Sequence, residues 1–180
     1  MREKLYIGAD NGLSGAAAVL DASGRPRRVF GFPIIERAGA REAHIHKSIN
    51  ARALMVLLTE EVRVQDYETY VMVERPFAVP RKSGDGQKEV FVGMIGSMYE
   101  VYGVLSTVFL LAGAAEVTGV VPHSWKRKFD VGAKKNKSVS VARELFPEID
   151  LQHAKDHNRA EALLIAEHCR MYHNDPRRNL

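Results

Sequence analysis

Leu5-Tyr6-Ile7-Gly8-Ala9-Asp10-Asn11-Gly12 sets the reading of the whole chain. An apolar run closed by a carboxylate has the pattern of a central strand, and the Asn-Gly pair behind it is a strong turn signal. Gly15-Ala16-Ala17-Ala18-Val19-Leu20 is a second apolar run, closed by the polar Asp21-Ala22-Ser23-Gly24, and Arg28 to Phe32 is a third. Short strands joined by such turns predict an antiparallel meander.

Residues 33 to 48 are mixed in character and predict irregular chain. From Asn50, Leu54, Leu57, Leu58 and Val62 recur at helical spacing. Thr69 to Val73 is β-rich and ends at Glu74; Pro76 and Pro80 then stop regular structure, and Arg81-Lys82-Ser83-Gly84-Asp85-Gly86 reads as a mobile, charged loop. A long helix is expected from near Glu89 to about Ala112, a strand from Glu116 to Val121, a short helix from Ser138 to Phe146, and a last helix from near Asp156 to about Tyr172. No internal repeat or low-complexity linker interrupts this order. It predicts an α/β protein, a mixed five-stranded sheet flanked by helices, in one domain over residues 1–180.

Composition narrows the function classes. Apolar residues make up 46% of the 180, which argues against a disordered tail. The 26 basic residues exceed the 22 acidic ones, giving +4 and a pI near 9.2, which permits a nucleic-acid partner without establishing one. Cys169 is the only cysteine, so neither an intrachain disulfide nor a thiolate zinc cluster is available, and it is expected as a small packed hydrophobe on a helix. Val90 to Ala115 is broken by Glu100, Ser97 and several glycines, which points to a buried or interface helix and no membrane partner. Met1-Arg2-Glu3-Lys4 leads straight into a strand without a signal-peptide core. The expectation is a cytoplasmic protein of a bacterial or phage-infected cell, with an organelle origin for a mature chain left open.

Asp10 closes the first strand, Glu74 closes the fourth, and His157 and Glu161 stand one turn apart on the last helix. Taken singly, each has a plainer reading. An Asp before Asn-Gly is commonly a turn former, a Glu after a strand its solvated end, and His157 a surface residue at a helix start. Asp156, kept open as a further candidate, has the type favoured at an N-cap. Glu161 stands out because it leads the apolar Ala162-Leu163-Leu164-Ile165-Ala166, where a carboxylate is costly without a cation or donor. Carboxylates from adjacent strand ends facing a helix can converge, and a hard divalent cation is the simplest relief for their repulsion. Two such ions about 3.5–4 Å apart would hold both oxygens of an in-line phosphodiester displacement.

Ile7-Gly8-Ala9-Asp10-Asn11-Gly12-Leu13-Ser14-Gly15-Ala16 resembles the first motif of RuvC-type Holliday junction resolvases, and Val73-Glu74-Arg75-Pro76-Phe77 resembles the second. Val121-Pro122-His123-Ser124-Trp125-Lys126 is similar to the Pro-x-x-Trp-Lys segment of one branch of that family. Lys155-Asp156-His157-Asn158-Arg159-Ala160-Glu161-Ala162-Leu163-Leu164-Ile165-Ala166 is similar to its Lys-Asp-His-Gly-Arg-Ala-Glu-Ala-Leu-Leu-Ile-Ala segment, with Asn158 in place of the usual Gly. That branch holds the plant chloroplast resolvase (monokaryotic chloroplast protein) and bacterial and phage relatives. The resemblance implies an RNase H-like fold, a homodimer, and a crossover junction endodeoxyribonuclease of DNA recombination and repair that nicks four-way junctions symmetrically. It also implies Mg2+, with Mn2+ as the alternative, and a catalytic and metal-binding set of Asp10, Glu74, His157 and Glu161. Bacterial RuvC has acids at both final-helix positions, so His157 stays open between a metal ligand, which would suit Mn2+ better, and a group that positions or deprotonates water.

Lys126, Arg127, Lys128, Lys134, Lys135 and Lys137 face a single acid, Asp130, between Pro122 and Lys137. Such a run is often only a solvated surface; beside a phosphate-cleaving site it would neutralise the DNA backbone. Arg81, Lys82 and Lys88, which follow a catalytic strand, and Lys155 join it as candidate DNA contacts. Trp125, between Val121 and Phe129, is expected to pack into the fold and not to stack on a base. On the long helix, Phe91, Ile95, Met98, Tyr99, Tyr102, Leu105 and Phe109 leave apolar residues on nearly every side, consistent with a second buried surface such as a dimer seam; Gly93, Gly96 and Gly103 would allow close helix approach. Three other readings compete. Asp10-x-Gly12 also resembles the phosphate loop of actin-like ATPases, for which 180 residues are too few. An RNase H-like nuclease on hybrids or other branched duplexes, and a non-catalytic junction-binding protein, are the alternatives.

Overall fold

Lys4–Ala9 forms β1, the centre from which the sheet grows in both directions. The computed structural model describes residues 2–38, 45–77, 81–82, 88–89, 92–132, 135–153 and 156–179. β2 (Ala16–Asp21) and β3 (Pro26–Gly31) fold back antiparallel, as the meander predicts, while β6 (Glu68–Glu74) and β9 (Glu116–Val120) add in parallel on the other side. The order is β3-β2-β1-β6-β9, a mixed five-stranded sheet.

Alternation along β1 assigns its two faces. Leu5, Ile7 and Ala9 enter one core with Leu54, Leu58, Leu105 and Phe109, from α1 (Ala51–Val56), the π-helical turn Leu57–Val62 that continues it, and α2 (Val92–Leu111). Tyr6 enters the other with Trp125, Ala142, Leu163 and Leu164, from α3 (Pro122–Lys128), α4 (Lys135–Leu145) and α5 (His157–His173). Helices thus cover both faces of the sheet. Each fully buried leucine contributes on the order of 1.5–3 kcal/mol.

Gly8 lies on the α5 side of β1. A Cβ there would stand 2.1 Å from the Ala166 nitrogen and 2.4 Å from the Ala162 oxygen, so the missing side chain lets the helix backbone rest on the strand. Asn50 caps α1 through Oδ1, which accepts from the Ala53 N–H at 3.1 Å. Cys169 is buried, as its setting predicts. Among the described residues no helix is long and apolar enough to cross a membrane.

Three stretches differ from expectation. Residues 33 to 48 are not irregular throughout: β4 (Ile34–Ala38) and β5 (Ile45–Ile49) pair antiparallel, with Glu36 opposite Lys47. Cross-strand pairing of this kind leaves little trace in apolar alternation because little of the ladder enters the core. The charged stretch after Pro80 is not all loop, since β7 (Arg81–Lys82) pairs with β8 (Lys88–Glu89) and α2 starts only at Val92. Pro122, whose fixed φ suits a first helical position, opens the additional helix α3. A Cβ at Gly96 or Gly103 would meet nothing within 4 Å, so among the described residues these glycines mediate no close approach.

Candidate active site

The parallel register of β1 and β6 pairs Ala9 with Val73, so one step further Asp10 and Glu74 stand side by side. Both fall on the face that carries α5. The Asp10 N–H donates to the Ala16 carbonyl at 2.9 Å, carrying the β1–β2 ladder past the strand end, and Gly15 N–H closes the turn on the Gly12 carbonyl at 3.0 Å. Asn158, the departure from the motif, donates its amide to the Ser14 carbonyl and ties the first turn of α5 to this loop, a bond glycine has no side chain to make. Through that tie and the Gly8 contact, Glu161 arrives over the two strand ends. Asp10, Glu74 and Glu161 each offer an oxygen, and these lie within 4.8 Å of one another.

Polar partners from two further helices hold the cluster. Trp125 Nε1 donates to Glu74 Oε2 at 2.8 Å, and Ser138 Oγ donates to Glu161 Oε1 at 3.1 Å. Lys126 Nζ lies 3.5 Å from Glu161 Oε1, with the two side chains 27% and 12% exposed. Burial pushes the Glu74 carboxyl above its ordinary value; the Trp125 hydrogen bond and Lys126 work against that rise, and Glu161 adds to it. An all-oxygen donor set carrying more negative than positive charge, part-buried, has the chemistry that binds a hard divalent cation.

The remaining sequence candidates fall in different places. His157 opens α5 one turn before Glu161 and stands outside the three-acid set. Asp156 does occupy the N-cap position of α5, but its side chain makes no cap bond; it accepts from the His153 N–H at 2.9 Å and lies 3.5 Å from Arg159. Those partners hold its carboxyl below the usual range. Lys126 reaches the acids, Arg127 and Lys128 are exposed on α3, and Lys137 is paired with Asp130 at 2.8 Å. Lys134 and Lys155 lie outside the described residues, as do the side chains of Arg81, Lys82, Lys88 and Lys135. Phe77, Pro122, His123, Lys126, Arg127 and Asp130 line a groove of about 400 Å³, and of these Lys126 also reaches Glu161. Trp125 is fully buried, as its neighbours predict. Its hydrogen bond to Glu74, and that of Ser138 to Glu161, carry no periodic signal; for Trp125 the only pointer is its place in the Pro-x-x-Trp-Lys segment.

No family model matches the sequence, and no curated protein does. Solved structures do match. T. thermophilus RuvC in complex with Holliday junction substrate superposes with a TM-score of 0.57 at 14% identity, over 96% of this chain and 96% of that one. Thermus thermophilus RuvC gives 0.53 at 15% identity, over 94% of this chain and 95% of that one. At such identities the likeness defines the fold: this chain has an α/β RNase H-like fold of the RuvC type. Three carboxylates converge at the strand ends of that fold.

Proposed function

We propose that the chain is a divalent-metal-dependent endodeoxyribonuclease, a single nuclease domain that resolves four-way DNA junctions by paired symmetric nicks in recombination and repair. The observation that carries this reading is the meeting of Asp10, Glu74 and Glu161 within 4.8 Å. The RNase H-like fold, and a structural neighbour whose complex contains Holliday junction substrate, support the choice of DNA substrate. The motif resemblance supports the branch with the chloroplast resolvase, and a cytoplasmic setting in a bacterial or phage-infected cell agrees with it.

Asp10, Glu74 and Glu161 would hold the cation, which polarises the scissile phosphate and lowers the pKa of bound water. Mg2+ fits the oxygen donors, and Mn2+ is the alternative. His157, one turn before Glu161 on α5, would either join the acids on the cation or orient or deprotonate the attacking water. Arg127, Lys128 and Lys137, with Lys134, Lys135, Lys155, Arg81, Lys82 and Lys88, are assigned to the DNA backbone, whereas Lys126, a DNA candidate by sequence, is assigned to the acid cluster through Glu161. A homodimer would present two such sites to opposed strands. Gly96, Tyr99, Gly103, Thr107 and Leu110 are exposed at helical spacing on α2, an outward stripe suited to such a seam.

The test is cleavage of a labelled mobile four-way junction with Mg2+, with Mn2+ and with chelator, beside an RNA–DNA hybrid. Metal-dependent paired nicks in the junction are expected, and Asp10→Asn should abolish them while leaving junction binding in place. Preferential cutting of the hybrid would select the RNase H-like alternative; binding without cutting under any metal would select the non-catalytic one.

A further inference from the structure

Each of two acids in the cluster is held by a donor that belongs to neither a catalytic strand nor α5. Trp125, 0% exposed on α3, places its indole N–H 2.8 Å from Glu74 Oε2. Ser138, 1% exposed on α4, places its hydroxyl 3.1 Å from Glu161 Oε1. An indole nitrogen only donates, and it finds a partner when buried. Packing alone does not require this arrangement: a phenyl ring could occupy Trp125's place in the α5-side core without an N–H. A bond from a rigid, fully enclosed ring fixes the carboxylate plane of Glu74, and a carboxylate that must meet a cation gains from being held in one orientation.

We infer that Trp125 and Ser138 are positioning residues, which orient Glu74 and Glu161 toward Asp10 so that the three acids form a cation site before any cation arrives. This rests on the nuclease reading of the same site. Trp125 acts on Glu74 and Ser138 on Glu161, and neither touches the substrate. A corollary follows from composition: Trp125 is the only tryptophan, so the chain's indole emission comes from a ring bonded to the proposed site.

The experiment uses the full chain without DNA. Titration with Mg2+ should change the indole emission of the wild-type protein in a saturable way, and Glu74→Gln should remove that response. Mn2+ affinity, read from the electron paramagnetic resonance signal of unbound ion, should fall about 10–100-fold in Trp125→Phe, with native far-UV circular dichroism. Ser138→Ala, a smaller deletion, should weaken Mn2+ binding in the same sense. If Trp125→Phe does not fold, the wild-type emission and the Ser138 variant decide the matter. Wild-type Mn2+ binding with an emission indifferent to Mg2+, or with unchanged affinity in the folded variants, overturns the inference and leaves the nuclease reading standing. Absence of Mn2+ binding by the wild type overturns both.

Discussion

Replacing Gly8 by Ala adds one methyl group at the point where β1 touches α5. The new Cβ would lie 2.1 Å from the Ala166 nitrogen, 2.4 Å from the Ala162 oxygen and 2.7 Å from the Ile165 carbonyl carbon. Ordinary contact begins near 3.4 Å, and all three neighbours are backbone, so no side chain can swing aside. Strand and helix must separate by about 1.3 Å, which places the cost at the upper end of overpacking penalties, about 3 kcal/mol. For a chain of this size that lowers Tm by about 6–12 °C. Glu161 lies one residue from Ala162 and retreats with the helix, and a misplacement of about 1 Å in a reacting centre costs on the order of 100-fold in rate. Circular dichroism melts measure the first effect, and single-turnover cleavage of a four-way junction below the variant's Tm measures the second. A variant that melts with the wild type would refute the close-approach argument. One that melts early but cuts at full rate would refute the claim that this contact places Glu161.

The folded-state pKa of Glu74 is raised, so the folded protein binds more protons than the unfolded chain between the ordinary carboxylate value and that raised value. Stability is therefore lost as pH rises through this window. Without metal, Glu74→Gln should melt above the wild type at neutral pH, with the gap closing below the ordinary carboxylate range; a lower Tm across the pH range would refute the burial argument. Asp130→Asn should release Lys137 from an exposed pair at little cost in stability and tighten DNA binding at low salt, with a salt dependence steeper by up to about 0.9 in log–log slope. Unchanged affinity in a salt titration would remove Lys137 from the DNA surface. Gly103→Arg places a charge on the outward stripe of α2, and light scattering should report monomers where the wild type gives dimers. A dimer that survives the substitution would move the seam elsewhere.

Much of this architecture is legible because burial imposes a period. Leu5, Ile7 and Ala9 alternate with Tyr6 and Gly8 because the sheet is covered on both faces, and Leu163, Leu164, Cys169 and their neighbours follow a helical repeat because α5 lies against it. The acids are legible for the same reason: Glu161 interrupts an apolar face where a carboxylate needs a partner. What periodicity does not encode is register. That Ala9 pairs with Val73, and hence Asp10 neighbours Glu74, depends on strand alignment across more than sixty residues of intervening chain. The β4–β5 pair escaped for a related reason. Its pairing of Ile34 with Ile49 and Glu36 with Lys47 is a relation between two stretches, and neither stretch alone carries a strong strand pattern.

The short helix α3 shows how much a missed element can carry. Over Pro122–Lys128 the chain makes about two helical turns, and consecutive residues acquire different surroundings: Trp125 points inward to Glu74, Lys126 reaches Glu161, and Arg127 and Lys128 are exposed. Read as extended loop, the three basic residues form one undifferentiated patch. Wound into a helix, they separate, because successive positions are turned about 100° from each other. Lys126 then offsets charge within the acid cluster, while Arg127 and Lys128 remain available to a phosphate backbone. Their substitutions should therefore differ in kind. Loss of Arg127 and Lys128 should weaken junction binding and flatten its salt dependence, whereas loss of Lys126 should change the metal dependence of cutting at saturating DNA. Identical phenotypes would mean that the helix does not divide the two tasks.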